Sequence, residues 1–261
     1  MPACRRSALA CALSLASIAS ALATSGCDAL VLESTSTVKF FAAHAGMPTE
    51  TGFPDYGDAG STRVFLTDLG WEVALSDVYV TTQAIRLVRC GKQQGTEIEM
   101  FWGTCPEDFV AAQDRETLPL GAITIEDGDF CEVEVVFGPY VDDGGEEEHT
   151  KPSNPNVVGA TVLIEGVARR DPGDGMIIEV PFTLRFEDEL VTTIDVSGLD
   201  AGQPFSLDNE TYARNLSVLK TYDRFFDGVD FTNAGPADLE AAVKASLELD
   251  TRIYDGATIV E

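Results

Sequence analysis

Through most of the chain, apolar residues recur at every second position. Thr37-Val38-Lys39-Phe40-Phe41 opens this pattern, residues 63–67 form a short run, and residues 70–75 and 78–90 read as two paired long strands. Residues 96–102 set Ile98, Met100 and Trp102 against Glu97, Glu99 and Phe101. Asp127-Gly128-Asp129, between the runs 122–126 and 130–137, has the composition of a hairpin turn. Further runs cover 160–168, 176–186 and 190–196, separated by turn-forming clusters at 55–58, 171–175 and 198–204. About nine short strands with regular breaks predict an all-β protein, an antiparallel β-sandwich of Ig-like or flattened-barrel form. No strand–helix alternation points to an α/β fold.

The period changes near the carboxyl end. Gly235-Pro236-Ala237-Asp238-Leu239-Glu240 puts proline and acids where a helix begins, and Leu239, Val243 and Leu247 then recur at four-residue spacing beside Ala242. One amphipathic helix of about 14 residues, docked on the sheets, follows. Just upstream, Tyr222, Phe225, Phe226 and Phe231 are interleaved with Asp223, Arg224, Asp227 and Asp230. Core closure is the expected role of these rings; a surface platform for a sugar or partner is the alternative.

The amino terminus has a different logic. Arg5-Arg6, an Ala/Leu/Ser-rich stretch over 8–23 and Thr24-Ser25-Gly26-Cys27 follow the order of an export signal. The last four residues resemble a lipobox, with Thr24 where leucine is usual, so Cys27 is expected to be acylated and to become the new amino terminus. An ordinary secretory signal cut near Ala23 is the alternative. The organisation expected is a lipoprotein signal peptide over 1–26, a short tether over 27–36, a β-sandwich over 37–231, and a helix and tail over 232–261. The protein is thus expected in the bacterial cell envelope, held to a membrane by its lipid anchor.

Charge narrows the partners. The chain holds 17 basic and 44 acidic residues, a formal balance of −27, and the signal segment removes two arginines and no acid. Such a surface repels nucleic acid and anionic headgroups and favours cations, either a basic envelope protein or metal ions. The acids are dispersed among apolar residues, as on a folded surface, apart from the run 142–148, which is expected to be an exposed loop.

Three cysteines lie beyond the signal segment: Cys90, Cys105 and Cys131. If successive strands alternate in direction, Cys90 and Cys131 share one end and Cys105 the other, so a Cys90–Cys131 disulfide is expected in an oxidising compartment. It would stabilise by roughly 4 kcal/mol in the chain-entropy model. Cys105 is then left over, to be buried, paired between chains, or used as a soft ligand. The chain has two histidines, His44 and His149. His44, among small neighbours in Ala42-Ala43-His44-Ala45-Gly46-Met47, is expected to be accessible, and with the thioether of Met47 would suit copper. A loop histidine without a ligand is the alternative. His149, beside Glu146–Glu148, is a weaker candidate for a divalent cation. Asp127, Asp129, Asp171 and Asp174 sit where carboxylates accept backbone hydrogen bonds in turns. Nothing has the spacing of a nucleophile elbow, phosphate loop or HExxH helix, and no catalysis is expected.

Three stretches resemble a family of exported copper-binding β-sandwich proteins, the methanobactin-partner type. These are Val38-Lys39-Phe40-Phe41, the paired strands from Trp71 to Cys90, and Gly128-Asp129-Phe130-Cys131-Glu132-Val133-Glu134-Val135-Val136-Phe137-Gly138. The resemblance implies export and a sandwich fold. In some members copper is held by histidines beside a modified tryptophan, but Trp71 and Trp102 have no histidine two residues away. It makes His44 the first position to test. The expectation is a lipid-anchored, non-catalytic envelope binding module, with copper its most specific ligand. The alternative is a structural or protein-interaction lipoprotein with no small ligand.

Overall fold

The computed structural model describes residues 34–142, 151–173, 175–208 and 213–259. Cys27 and its signal segment, His149, Asp174 and most of the acidic run 142–148 lie outside the described residues.

Two sheets face each other around one apolar core. The first contains β1 (Thr35–Ala45), β5 (Glu99–Met100), β7 (Leu118–Glu126), β13 (Ala213–Thr221) and β14 (Arg252–Asp255), in the order β14-β13-β1-β7-β5. The β1–β13 pair is parallel, and the other pairs are antiparallel. The second sheet is organised on β3 (Glu72–Arg89), a single bent strand of 18 residues. Along one side of β3 lie in turn β2 (Arg63–Leu66), β6 (Cys105–Asp108) and β4 (Thr96–Glu97). Along the other lie β9 (Val162–Arg170) and then β8 (Gly128–Phe137), so that Val80 pairs both Glu107 and Val162, and Thr82 pairs both Cys105 and Phe137. Outside these, β10 (Ile178–Phe186) pairs β9, while β11 (Leu190–Asp195) and β12 (Phe205–Leu207) pair β8.

The all-β sandwich is as expected, but several boundaries differ for physical reasons. The two strands expected over 70–90 are one, bent by a register shift between Leu75 and Asp77. A bulge adds a residue and re-aims the strand without ending it. The run 96–102 divides: β4 pairs β3 of one sheet and β5 pairs β7 of the other, with Ile98 buried between them. Asp127-Gly128-Asp129 is not a hairpin. It carries the chain from β7 in one sheet to β8 in the other, with Gly128 at φ 150. Turn composition marks a reversal but does not say whether the flanking strands pair. Strands β12, β13 and β14 were not expected at all.

The carboxyl-terminal helix forms over Pro236–Asp250, its first turn closed by Asp238 Oδ2 accepting the Gly235 N–H at 2.8 Å. Leu239, Val243 and Leu247 are all buried on its inner side, and β14 then returns to pair β13. The aromatic stretch closes the core as expected: Tyr222, Phe225 and Phe226 are fully buried, and Phe231 packs on Trp71, Phe182 and Phe226. The disulfide joins Cys90 to Cys131, and Cys105 is a buried free thiol. Among the described residues no helix is long and apolar enough to cross a membrane.

Candidate functional site

A polar cluster lies inside the sandwich, and strand register explains it. On β1 the inward row is Val38, Phe40, Ala42, His44; on β13 it is Leu216, Val218, Lys220. Parallel pairing puts His44 directly beside Lys220. From the opposite sheet, β6 directs Glu107 inward between them. Lys220 Nζ forms an ion pair with Glu107 Oε2, and His44 Nδ1 lies 2.8 Å from Glu107 Oε1. All three side chains are almost completely buried. The lost hydration of Glu107 would raise its pKa, but Lys220 and His44 outweigh that and hold it below its ordinary value. Glu107 is therefore ionised, and His44 donates to it through Nδ1–H.

On its far side, His44 Nε2 faces Asp114 Oδ1 at 3.7 Å, and neither atom has a hydrogen-bond partner. Asp114 Oδ2 accepts the Tyr222 hydroxyl at 2.8 Å. Burial raises the Asp114 carboxyl; Tyr222, His44 and Arg63 oppose this without cancelling it. Arg63 has no exposed surface. Its NH2 lies 3.8 Å from Asp114 Oδ1, and the guanidinium donates to the carbonyls of Gly57, Asp58, Phe109 and Ala112. The cluster thus sets two basic side chains, Lys220 and Arg63, against two acidic ones, Glu107 and Asp114, around the imidazole. Phe109 stacks on the imidazole at 4.5 Å between centroids. The Cys105 thiol, near Glu107, is pushed up to about 12 by burial, with Glu107 adding to the rise and Lys220 opposing it. It is not a nucleophile in this state.

Beside this cluster a cleft of about 630 Å³ opens at the sandwich edge, between β6 and the start of β7. Glu107 belongs to both: it lines the cleft and closes the interior network. Around it lie Tyr79, Trp102, Asp108, Glu116 and Lys151, with apolar wall from Pro106, Leu118 and Pro119. Asp108 Oδ1 accepts the N–H groups of Val110 and Ala111, and Glu116 accepts that of Gln113. The Tyr79 hydroxyl lies 2.9 Å from Ser153 Oγ, and burial raises its pKa to about 12.

The expected site residues fall as follows. His44 is not accessible; it is the last inward side chain of β1 and has no exposed surface. The small residues around it are small because they are packed, not because they surround an open loop. Met47 is half-buried at the strand's exit, its N–H donating to Asp223 Oδ1 at 2.9 Å. As a copper site, His44 offers Nε2 and, opposite it, one carboxylate oxygen, with two cations in the same network. Among the described residues no group of three or more His, Cys, Asp and Glu could hold a metal ion. This donor set is incomplete for copper. Asp171 Oδ1 accepts the Gly173 N–H, the turn role expected, while Asp127 accepts the hydroxyls of Ser34 and Ser36 and Asp129 that of Ser206.

The chain is similar in structure to MbnP from Methylosinus trichosporium. The match covers 85% of this chain and 99% of that one, at 11% identity and a TM-score of 0.37. No family model and no curated protein matches the chain.

Proposed function

We propose that the protein is a non-catalytic binding module of the cell envelope, exported and lipid-tethered through Cys27, whose ligand occupies the cleft above Glu107. The observation that carries this reading is the cleft itself: a cavity of about 630 Å³ with a buried charged residue in its wall. That volume lies within the range of small-molecule sites. A non-catalytic role is supported by the chemistry of the cluster. Its thiol is held protonated, and its imidazole lies between two carboxylates with no serine hydroxyl among its partners. Native mass spectrometry of protein released gently from the envelope tests the reading. A retained small adduct, lost in Trp102→Ala, is the expected result; bare protein in both would contradict it. Intact mass of the mature chain tests the tether, with an acylated Cys27 as first residue expected.

A second reading keeps copper at His44. It is favoured by Nε2 facing Asp114 Oδ1 with neither hydrogen-bonded, while Glu107 orients the ring through Nδ1 as outer-shell carboxylates orient ligating imidazoles. It requires at least a third donor, which the described residues around Nε2 do not supply. Copper in the native protein and none in His44→Ala would support it; equal, near-zero copper in both would remove it.

A further inference from the structure

We propose that the cleft recognises an organic cation, an ammonium or guanidinium group carried on an apolar body; this rests on the cleft being the binding site. The carboxylates of Asp108 and Glu116 belong to its lining, against the single ammonium of Lys151 at an exposed position, while Glu107, also in the lining, turns its carboxylate inward to Lys220 and His44. An anion entering would meet two carboxylates against one ammonium. A bare metal ion finds no suitable group of donors among the described residues. Among charged ligands, what remains is a cationic nitrogen group attached to an organic body.

The aromatic residues fit the same ligand. Trp102 is half-buried and Tyr79 buried, and both line the cavity. Aromatic faces attract cations through their quadrupole, by about 0.5–2 kcal/mol depending on desolvation, and indole is the strongest of them. Asp108 is the carboxylate best placed to meet the charge. Two backbone N–H groups fix its Oδ1, so the side chain is oriented before any ligand arrives. Glu107, held inward by Lys220 and His44, joins the cleft wall to the interior network. The shared chemistry has two sources: a free amine, or the lysine or arginine side chain of a basic partner, which the acidic surface would draw in.

Titration calorimetry of the purified full chain with butylammonium, butan-1-ol and butyrate tests this. The cation is expected to bind about tenfold or more tighter than the alcohol, with no binding of butyrate. Asp108→Asn, which keeps the oxygen that accepts the two N–H groups, is expected to lower the affinity about tenfold, and Trp102→Phe to lower it less than Trp102→Ala. Thermal melts of each variant establish that it folds. Alcohol binding as well as ammonium, or butyrate binding best, would overturn the proposal. Failure of all three probes alongside a retained native adduct would overturn the cation class and leave the cleft as the site; loss of the adduct as well would remove both. A blocked lysine peptide binding tighter than butylammonium assigns the cation to a protein partner, and the reverse order assigns it to a free amine.

Discussion

Two regions of the interior are both largely shielded from water and differ in chemistry. Around Trp71, Phe182, Phe226 and Phe231 the rings meet at 5.1–5.5 Å between centroids, in tilted or edge-on arrangements. Burying such side chains is favourable, and their packing adds about 0.5–1.5 kcal/mol per pair. Around His44 the same depth holds Lys220, Glu107, Arg63 and Asp114. Burying charges costs several kcal/mol each, and their pairing offsets that cost only when geometry is good. The aromatic region explains why the protein folds. The polar region, where apolar residues of like volume would stabilise as well or better, calls for another explanation, and the cleft sharing Glu107 provides one.

The largest effects come from breaking single members of either region. Glu107→Ala leaves Lys220 buried without a counter-charge and is expected to destabilise by about 3–5 kcal/mol in urea titration. Phe231→Ala opens a cavity and is expected to cost a similar amount, about 3–5 kcal/mol. A second substitution separates the two. Adding Lys220→Met to Glu107→Leu removes both charges and is expected to recover most of the loss, whereas no second truncation rescues Phe231→Ala. Failure of the charge-free pair to recover would mean that the network is a net source of stability.

Acid sharpens the contrast within the polar region. Glu107 lies below its ordinary value of 4.5, so the folded state binds its proton more weakly than the unfolded state. Its contribution is present above about pH 4.5 and is lost as pH falls through the folded value. The stability difference between native protein and Glu107→Gln is therefore expected to shrink on acidification below pH 4.5. Asp114 is raised and has the opposite sign: its contribution is fully present below its ordinary value of 3.8 and is lost as pH rises through the folded value. The difference for Asp114→Asn is expected to grow in acid. The smallest stability effect belongs to the cleft wall. Trp102 is half-buried and a member of neither cluster, so Trp102→Ala is expected to change the melting free energy by less than about 1 kcal/mol while removing ligand.

Much of the sandwich was legible because alternation survives wherever one strand face meets the core, as in β1, β10 and β11. The helix was legible from Pro236, Asp238 and the Leu239–Val243–Leu247 spacing. The disulfide followed from strand direction, even though the turn before Cys131 was misread as a hairpin. Strand β13 was not legible, because both its faces are covered: Leu216 and Val218 on one side, Ser217 and Leu219 on the other. A strand buried on both faces loses the period-two signal. The polar cluster was hidden for the same reason. Its members come from β1, β2, β6, β13 and the segment after β6, and only pairing brings His44 to Lys220. One signal was available: the row Val38, Phe40, Ala42 continues in step to His44, which places the imidazole inside rather than in a loop. A lone lysine directly after Leu216-Ser217-Val218-Leu219, in step with Leu216 and Val218, was a second.

Nitrogen-15 NMR of the imidazoles tests most directly whether Glu107 links the interior to a ligand-filled cleft. The chain has two histidines, so His44 is assigned by its absence in a single variant. Butylammonium is expected to shift the His44 Nδ1 resonance through Glu107, while copper(I) leaves Nε2 unchanged. An Nε2 resonance displaced by copper(I), together with no response to the amine, would contradict the account and place the ligand at the histidine instead.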